Sequence, residues 1–208
     1  MTIGLVVCLI VISGYFSNFL NWKFLNYKLV KLSYYFGTLI HESSHLIMCL
    51  LSGAKVIEFK VFNSAPYVRY QKPKFPFISN VLISLAPIGG GLFFLWFLNY
   101  YIFSGQLLMY QIVKFNDLLL VPWSFLTNLN FFQIKTWLLI FLFLNIGAII
   151  SPSTRDLKNM WLGLLILLFI HAAVIVNLGL IALGFIIINI YLQIILIFLI
   201  NIIKFVFS

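Results

Sequence analysis

Charge is what this sequence has least of: Asp, Glu, Lys and Arg make up only 8% of its 208 residues. So little charge cannot cover a soluble globule. A hydrophobic share of 63% and a mean hydropathy of +1.13 point instead to a lipid bilayer as the solvent. Acids are limited to Glu42, Glu58, Asp117 and Asp156, and histidines to His41, His45 and His171. The two cysteines, Cys8 and Cys49, sit in apolar segments without metal-ligand spacing. They are packing residues, and a disulfide framework is excluded. Short alternating segments are also missing, which excludes an outer-membrane barrel; the long unbroken apolar runs predict α-helices. The net charge of +9 reflects basic residues in loops that face anionic headgroups. It does not mark a nucleic-acid binder.

What the chain does have is a succession of apolar runs. The expected fold is an all-α polytopic membrane protein of about six transmembrane helices, with a short β-hairpin-like segment after the second. No linker or repeat divides it, so residues 1–208 read as one membrane domain with a core at about 32–163. The spans fall at about 2–20, which reads as a retained helix and not a removed signal peptide, then 32–52, 78–103 and 135–150. The 43 apolar residues of 161–203 are too long for one crossing of about 20. They are expected to split into two spans near Asn177-Leu178-Gly179. Gly53 suits the end of the second helix. In Lys55-Val56-Ile57-Glu58-Phe59-Lys60-Val61 the period of two puts Ile57, Phe59 and Val61 on one side and Glu58 and Lys60 on the other. Asn63-Ser64-Ala65-Pro66 turns the chain, and Tyr67-Val68-Arg69-Tyr70-Gln71 can return beside it. An amphiphilic loop lying on headgroups is the competing expectation there. Leu85-Ala86-Pro87-Ile88-Gly89-Gly90-Gly91 predicts a kinked third span open to a close neighbour. Residues 104–136, with Pro122-Trp123, suit an interfacial segment.

The scarce polar residues are concentrated in Leu39-Ile40-His41-Glu42-Ser43-Ser44-His45-Leu46-Ile47-Met48. Residues four apart share a helix face, so His41 and His45 can point two imidazoles at one zinc ion. Glu42 beside them can take a proton from metal-bound water. An ionisable residue at membrane depth costs about 2.5–3.5 kcal/mol on insertion scales. Three within five positions need a compensating partner, and a divalent cation supplies one. A buried polar cluster lining a transporter cavity is the alternative.

A catalytic zinc needs a third protein ligand. Asp156, His171, Asp117 and Glu58 are the candidates. The ends of spans two and four lie on one side, which brings Asp156 toward the face where the metal helix descends. Asp156 also fits a helix cap, because Ser153-Thr154-Arg155-Asp156 is a capping-box pattern. His171 stands 15 residues on, about 22 Å further along a helix rising 1.5 Å per residue.

Together, a His-Glu-x-x-His motif in a membrane helix, a β-like segment after it, an Ala-Pro-rich third span and a late Asp near a proline resemble the site-2 protease family of intramembrane zinc metallopeptidases. The Pro152-Ser153-Thr154-Arg155-Asp156 form is similar to that of a divergent branch of small bacterial members. The resemblance covers about residues 34–163. It implies Zn2+ bound by His41, His45 and Asp156, Glu42 as the general base, and Asn145 near the oxyanion. It further implies cleavage of a membrane-inserted protein or peptide within or beside the bilayer, in a bacterial or other microbial cytoplasmic membrane. Two other functions share parts of this pattern. A membrane zinc peptidase trimming lipidated or terminal tails would use the same metal site, and a non-enzymatic metal or ion transporter would need polar residues along a full crossing path.

Overall fold

The computed structural model describes residues 2–24, 27–61, 66–71, 73–101, 117–147, 150, 152–167 and 173–206. Among them the chain is mostly helical, in the order α1 (Ile3–Phe24), α2 (Tyr27–Leu51), β1 (Val56–Lys60), β2 (Tyr67–Tyr70), α3 (Pro76–Tyr101), α4 (Asp117–Thr127), α5 (Ile134–Gly147), α6 (Thr154–Leu167) and α7 (Ala173–Val206). Three of these helices, at Gly4–Phe24, Pro76–Leu98 and Gly179–Val206, are long and apolar enough to cross a membrane. The expected count of six is not confirmed: among the described residues three helices meet that length and apolarity.

Helix α2 lies between α3 and α5, while α7 packs against α1, α4 and α5, and α6 touches α3 and α1. Phe143 of α5 joins these layers, with ring centroids 5.0 Å from Phe125 of α4 and 5.3 Å from Phe185 of α7. Helix α4 occupies part of the stretch expected to be interfacial. Leu118, Val121, Pro122 and Phe125, spaced i, i+3, i+4 and i+7, form its buried stripe.

Helix α7 runs unbroken through Asn177-Leu178-Gly179, where a break was expected. Gly179 serves packing instead: a Cβ there would stand 2.4 Å from Val6 Cγ1, so its absence lets α1 close on α7. The same device joins α3 to α2, because a Cβ on Gly90 would stand 1.8 Å from Ser44 Oγ and 2.8 Å from Ser44 Cβ.

Gly53 ends α2 as expected. Its φ of 69° allows the Gly53 amide to donate to Leu50 O (3.1 Å) and the Ala54 amide to Cys49 O (2.9 Å), the pair of bonds that closes a Schellman turn. The hairpin follows directly, antiparallel, with Val56 opposite Tyr70, Glu58 opposite Arg69, Phe59 opposite Val68 and Lys60 opposite Tyr67. The expected turn at 63–65 lies outside the described residues. Between Val56 and Glu58 the register shifts, which leaves Ile57 as the extra residue of a β-bulge. The bulge puts Val56 on the same side as Phe59, and with them Val68 and Tyr70. Val56, Val68 and Tyr70 pack on Cys49, Ala54 and Ile83, whereas Ile57 points away and is 55% exposed. The predicted apolar side of β1 is thus split. Glu58 and Lys60 do share the other side, where Lys60 Nζ is 2.6 Å from Glu58 Oε1 and the Tyr67 hydroxyl donates to Glu58 Oε2 (2.7 Å).

Those two donors hold the Glu58 carboxyl below its usual range. The stabilisation they give is present above the unfolded-state carboxylate pKa and is lost as pH falls through the lower folded value. Amide exchange across β1 and β2, corrected for intrinsic rates, should therefore lose protection on acidification in wild type, and Glu58→Gln should flatten that dependence. At the α2–α3 contact, Gly90→Ala should lower thermal stability in detergent by about 1–3 kcal/mol through overpacking. Gly89→Ala, whose Cβ meets nothing within 4 Å, should leave stability unchanged or slightly raised.

Candidate metal centre

Helix α2 presents His41 and His45 one turn apart on its buried side, 7% and 8% exposed. Their Nε2 atoms approach to 3.2 Å. Asp156, in the first turn of α6 and also buried, places Oδ1 3.4 Å from His45 Nε2 and Oδ2 3.8 Å from His41 Nε2. One ligand atom from each of the three residues falls within 4.8 Å of the others, so the group can hold a metal ion. Atoms about 2.0–2.2 Å from a tetrahedral zinc stand about 3.3–3.6 Å apart, and the observed separations of 3.2, 3.4 and 3.8 Å lie within a few tenths of an ångström of that range.

The donor chemistry fits a cation as well. His45 Nδ1 lies 2.8 Å from the Ile83 carbonyl oxygen. A carbonyl only accepts, so Nδ1 carries the hydrogen, and in the neutral ring Nε2 turns a lone pair toward His41 and Asp156. A lone pair and a carboxylate oxygen facing each other at 3.4 Å are stabilised by a positive charge between them.

Asp156 caps its helix and also turns an oxygen toward the histidines. Its Oδ2 accepts from the Ser153 amide (2.8 Å) and the Ser153 hydroxyl (2.6 Å), and the Asp156 amide returns a bond to Ser153 Oγ (3.3 Å). The capping box therefore fixes the carboxylate, and Oδ1 is the oxygen turned to His45. One oxygen serves the cap and the other is left facing His45.

Glu42 is half-buried beside the histidines, within electrostatic reach of His41, His45, Asp156 and Arg155. Tyr15 of α1 lies within electrostatic reach of Asp156, a neighbour that no motif announced. Asn145 is fully buried on α5; its Nδ2 donates to Phe141 O (2.9 Å), and its Oδ1 has no hydrogen-bond partner. None of its hydrogen bonds reaches the His–His–Asp group. Of the other third-ligand candidates, Glu58 is engaged in the hairpin, Asp117 opens α4, and neither belongs to that group. His171 lies outside the described residues.

Comparison of the chain with protein-family models, with curated proteins and with solved structures gives no match. The fold and the site together define a helical, strongly apolar protein with membrane-length helices and a buried group able to bind a metal ion.

The double use of Asp156 separates two substitutions. Asp156→Asn keeps an oxygen for the cap and Asp156→Ala keeps none, while both remove the charge facing the histidines. Metal content of the purified protein should fall in both. In chelator, the Ala variant should melt below the Asn variant by about 1 kcal/mol, the size of a lost helix cap.

Proposed function

We propose that the protein is an intramembrane zinc metalloprotease that hydrolyses a peptide bond within or next to a transmembrane segment of a membrane-inserted substrate. The observation that supports this best is the convergence of His41, His45 and Asp156 on one point, with Glu42 next to His41 in the chain. His41, His45 and Asp156 would hold the ion. When bound, a zinc ion supplies a Lewis acid that acidifies water and polarises a carbonyl.

The remaining work falls to side chains. Glu42, half-buried and within reach of all three ligands, takes the proton of the attacking water and delivers it to the leaving amine. Ser153 holds the Asp156 carboxylate through two hydrogen bonds, and the Ile83 carbonyl fixes the His45 ring. A transmembrane substrate hides its carbonyls in helical hydrogen bonds and has to be unwound before hydrolysis. The hairpin, packed on α2 and α3 through Cys49, Ala54 and Ile83, can take an extended segment as a third strand. Asn145 serves the oxyanion if its free Oδ1 rotates away and Nδ2 turns to the substrate. The setting is a multi-pass position in the cytoplasmic membrane of a bacterium or other microbe.

A peptidase of lipidated tails shares this chemistry and differs in substrate. A transporter has no use for a base beside its metal ligands. Reconstituted with single-span fluorogenic substrates, the wild type should cleave and a zinc chelator should stop it. Glu42→Gln should retain zinc while cleavage falls by about 10²–10⁴-fold or more. Unchanged cleavage by that variant defeats the assigned role. Cleavage confined to short terminal tails selects the tail peptidase, and zinc flux without cleavage selects the transporter.

A further inference from the structure

The Ile83 carbonyl that receives His45 belongs to the middle of α3, where a helix normally occupies every carbonyl with the amide four residues on. Four residues on from Ile83 is Pro87, inside the same helix, and proline has no N–H to give. The orphaned oxygen is the one His45 Nδ1 approaches, at 2.8 Å. Gly90 lies on the same stripe of α3, since 83, 87 and 90 are spaced i, i+4 and i+7. Its missing side chain lets that stripe lie against Ser44, the residue before His45.

From this juxtaposition we infer that Pro87 is a positioning residue of the metal centre: it empties the Ile83 carbonyl for His45 and thereby fixes which imidazole nitrogen faces His41 and Asp156. The inference rests on the proposed role of His45 as a ligand. The consequence is specific. With a donor at position 87, the Ile83 oxygen is shared between a backbone amide and the imidazole. The Nδ1–H form of His45 then loses its advantage, and Nε2 carries the hydrogen more often, which blocks it as a ligand. Outer hydrogen bonds to ligating histidines are typically worth about 10–100-fold in metal affinity. The kink proper to proline is a separate property, because an ester-linked residue also lacks the N–H but has no ring.

The test uses the full-length protein in detergent with three residues at position 87: proline, alanine, and lactic acid introduced as a backbone ester. Zn2+ affinity is measured by chelator competition. The His45 tautomer is read from imidazole ¹⁵N shifts in the metal-free protein, at a pH well above the imidazole range. Thermal unfolding without metal confirms the fold. Pro87→Ala should fold at least as stably as wild type, since a helix gains an amide bond and loses a proline. It should bind Zn2+ about 10-fold or more weakly and shift His45 toward the Nε2–H form. The ester variant should recover both the tautomer and most of the affinity. An alanine variant with wild-type tautomer and affinity overturns the inference, as does an ester variant as weak as alanine. A wild type that holds His45 as Nδ1–H yet binds no zinc defeats the metalloprotease proposal, while the tautomer shift in the alanine variant still decides the part played by Pro87.

Discussion

Polar side chains enclosed by so apolar a chain gather where other polar groups meet them, and the arrangement of His41, His45 and Asp156 depends on that pairing. His45 gives its Nδ1 hydrogen to a backbone carbonyl and turns Nε2 toward a carboxylate. Asp156 is answered by its own helix start through Ser153. One oxygen is set by the course of α3, the other by the first turn of α6, so the convergence of the three side chains is built from backbone elements and not from adaptable loops.

The helices reach that arrangement by close approach at small residues. Gly90 admits Ser44, and Gly179 admits Val6. Between apolar helices in lipid, packing and hydrogen bonds replace the hydrophobic effect as the cohesive force. The hairpin adds a second constraint on α2, because Schellman closure at Gly53 sends the chain straight back across Cys49 and Ile83. The end of α2 is thereby held against the same helix, α3, that offers its Ile83 carbonyl to His45.

Much of the site was legible in the sequence because its signal is local. The four-residue spacing of His41 and His45 fixes a shared helix face by itself. Asp156 could be read both as a helix cap and as an acid on the side of the histidines, but only the structure shows one oxygen engaged in the cap while the other faces His45. The hairpin was legible as alternation plus a turn, whereas its facing was not: a single bulge at Ile57 reverses the side on which Val56 falls, and no period of two contains that information. The unbroken course of α7 was hidden for a similar reason. Asn177 and Gly179 look like a breaking point locally, and only the neighbouring Val6 shows why a glycine stands there. Pro87 was visible as a kink, but counting four residues back to Ile83 has meaning only once His45 is known to lie beside it.

The contacts of α7 also bear on the order in which the helices can meet. Asn189 and Gln193 of α7 both donate to Ser17 Oγ, at 2.8 and 2.9 Å, and Gln193 donates to Asn21 Oδ1 at 3.0 Å. These bonds tie α1 to residues synthesised more than 170 positions later. Asn21 is held from both sides, because its Nδ2 donates to the Tyr34 hydroxyl of α2 at 3.2 Å while its Oδ1 accepts from α7. The polar pairing of α1 with α7 spans a long stretch of sequence and carries the larger loop-closure cost, so α1 and α2 are the pair able to meet first and α7 closes on an assembly already begun.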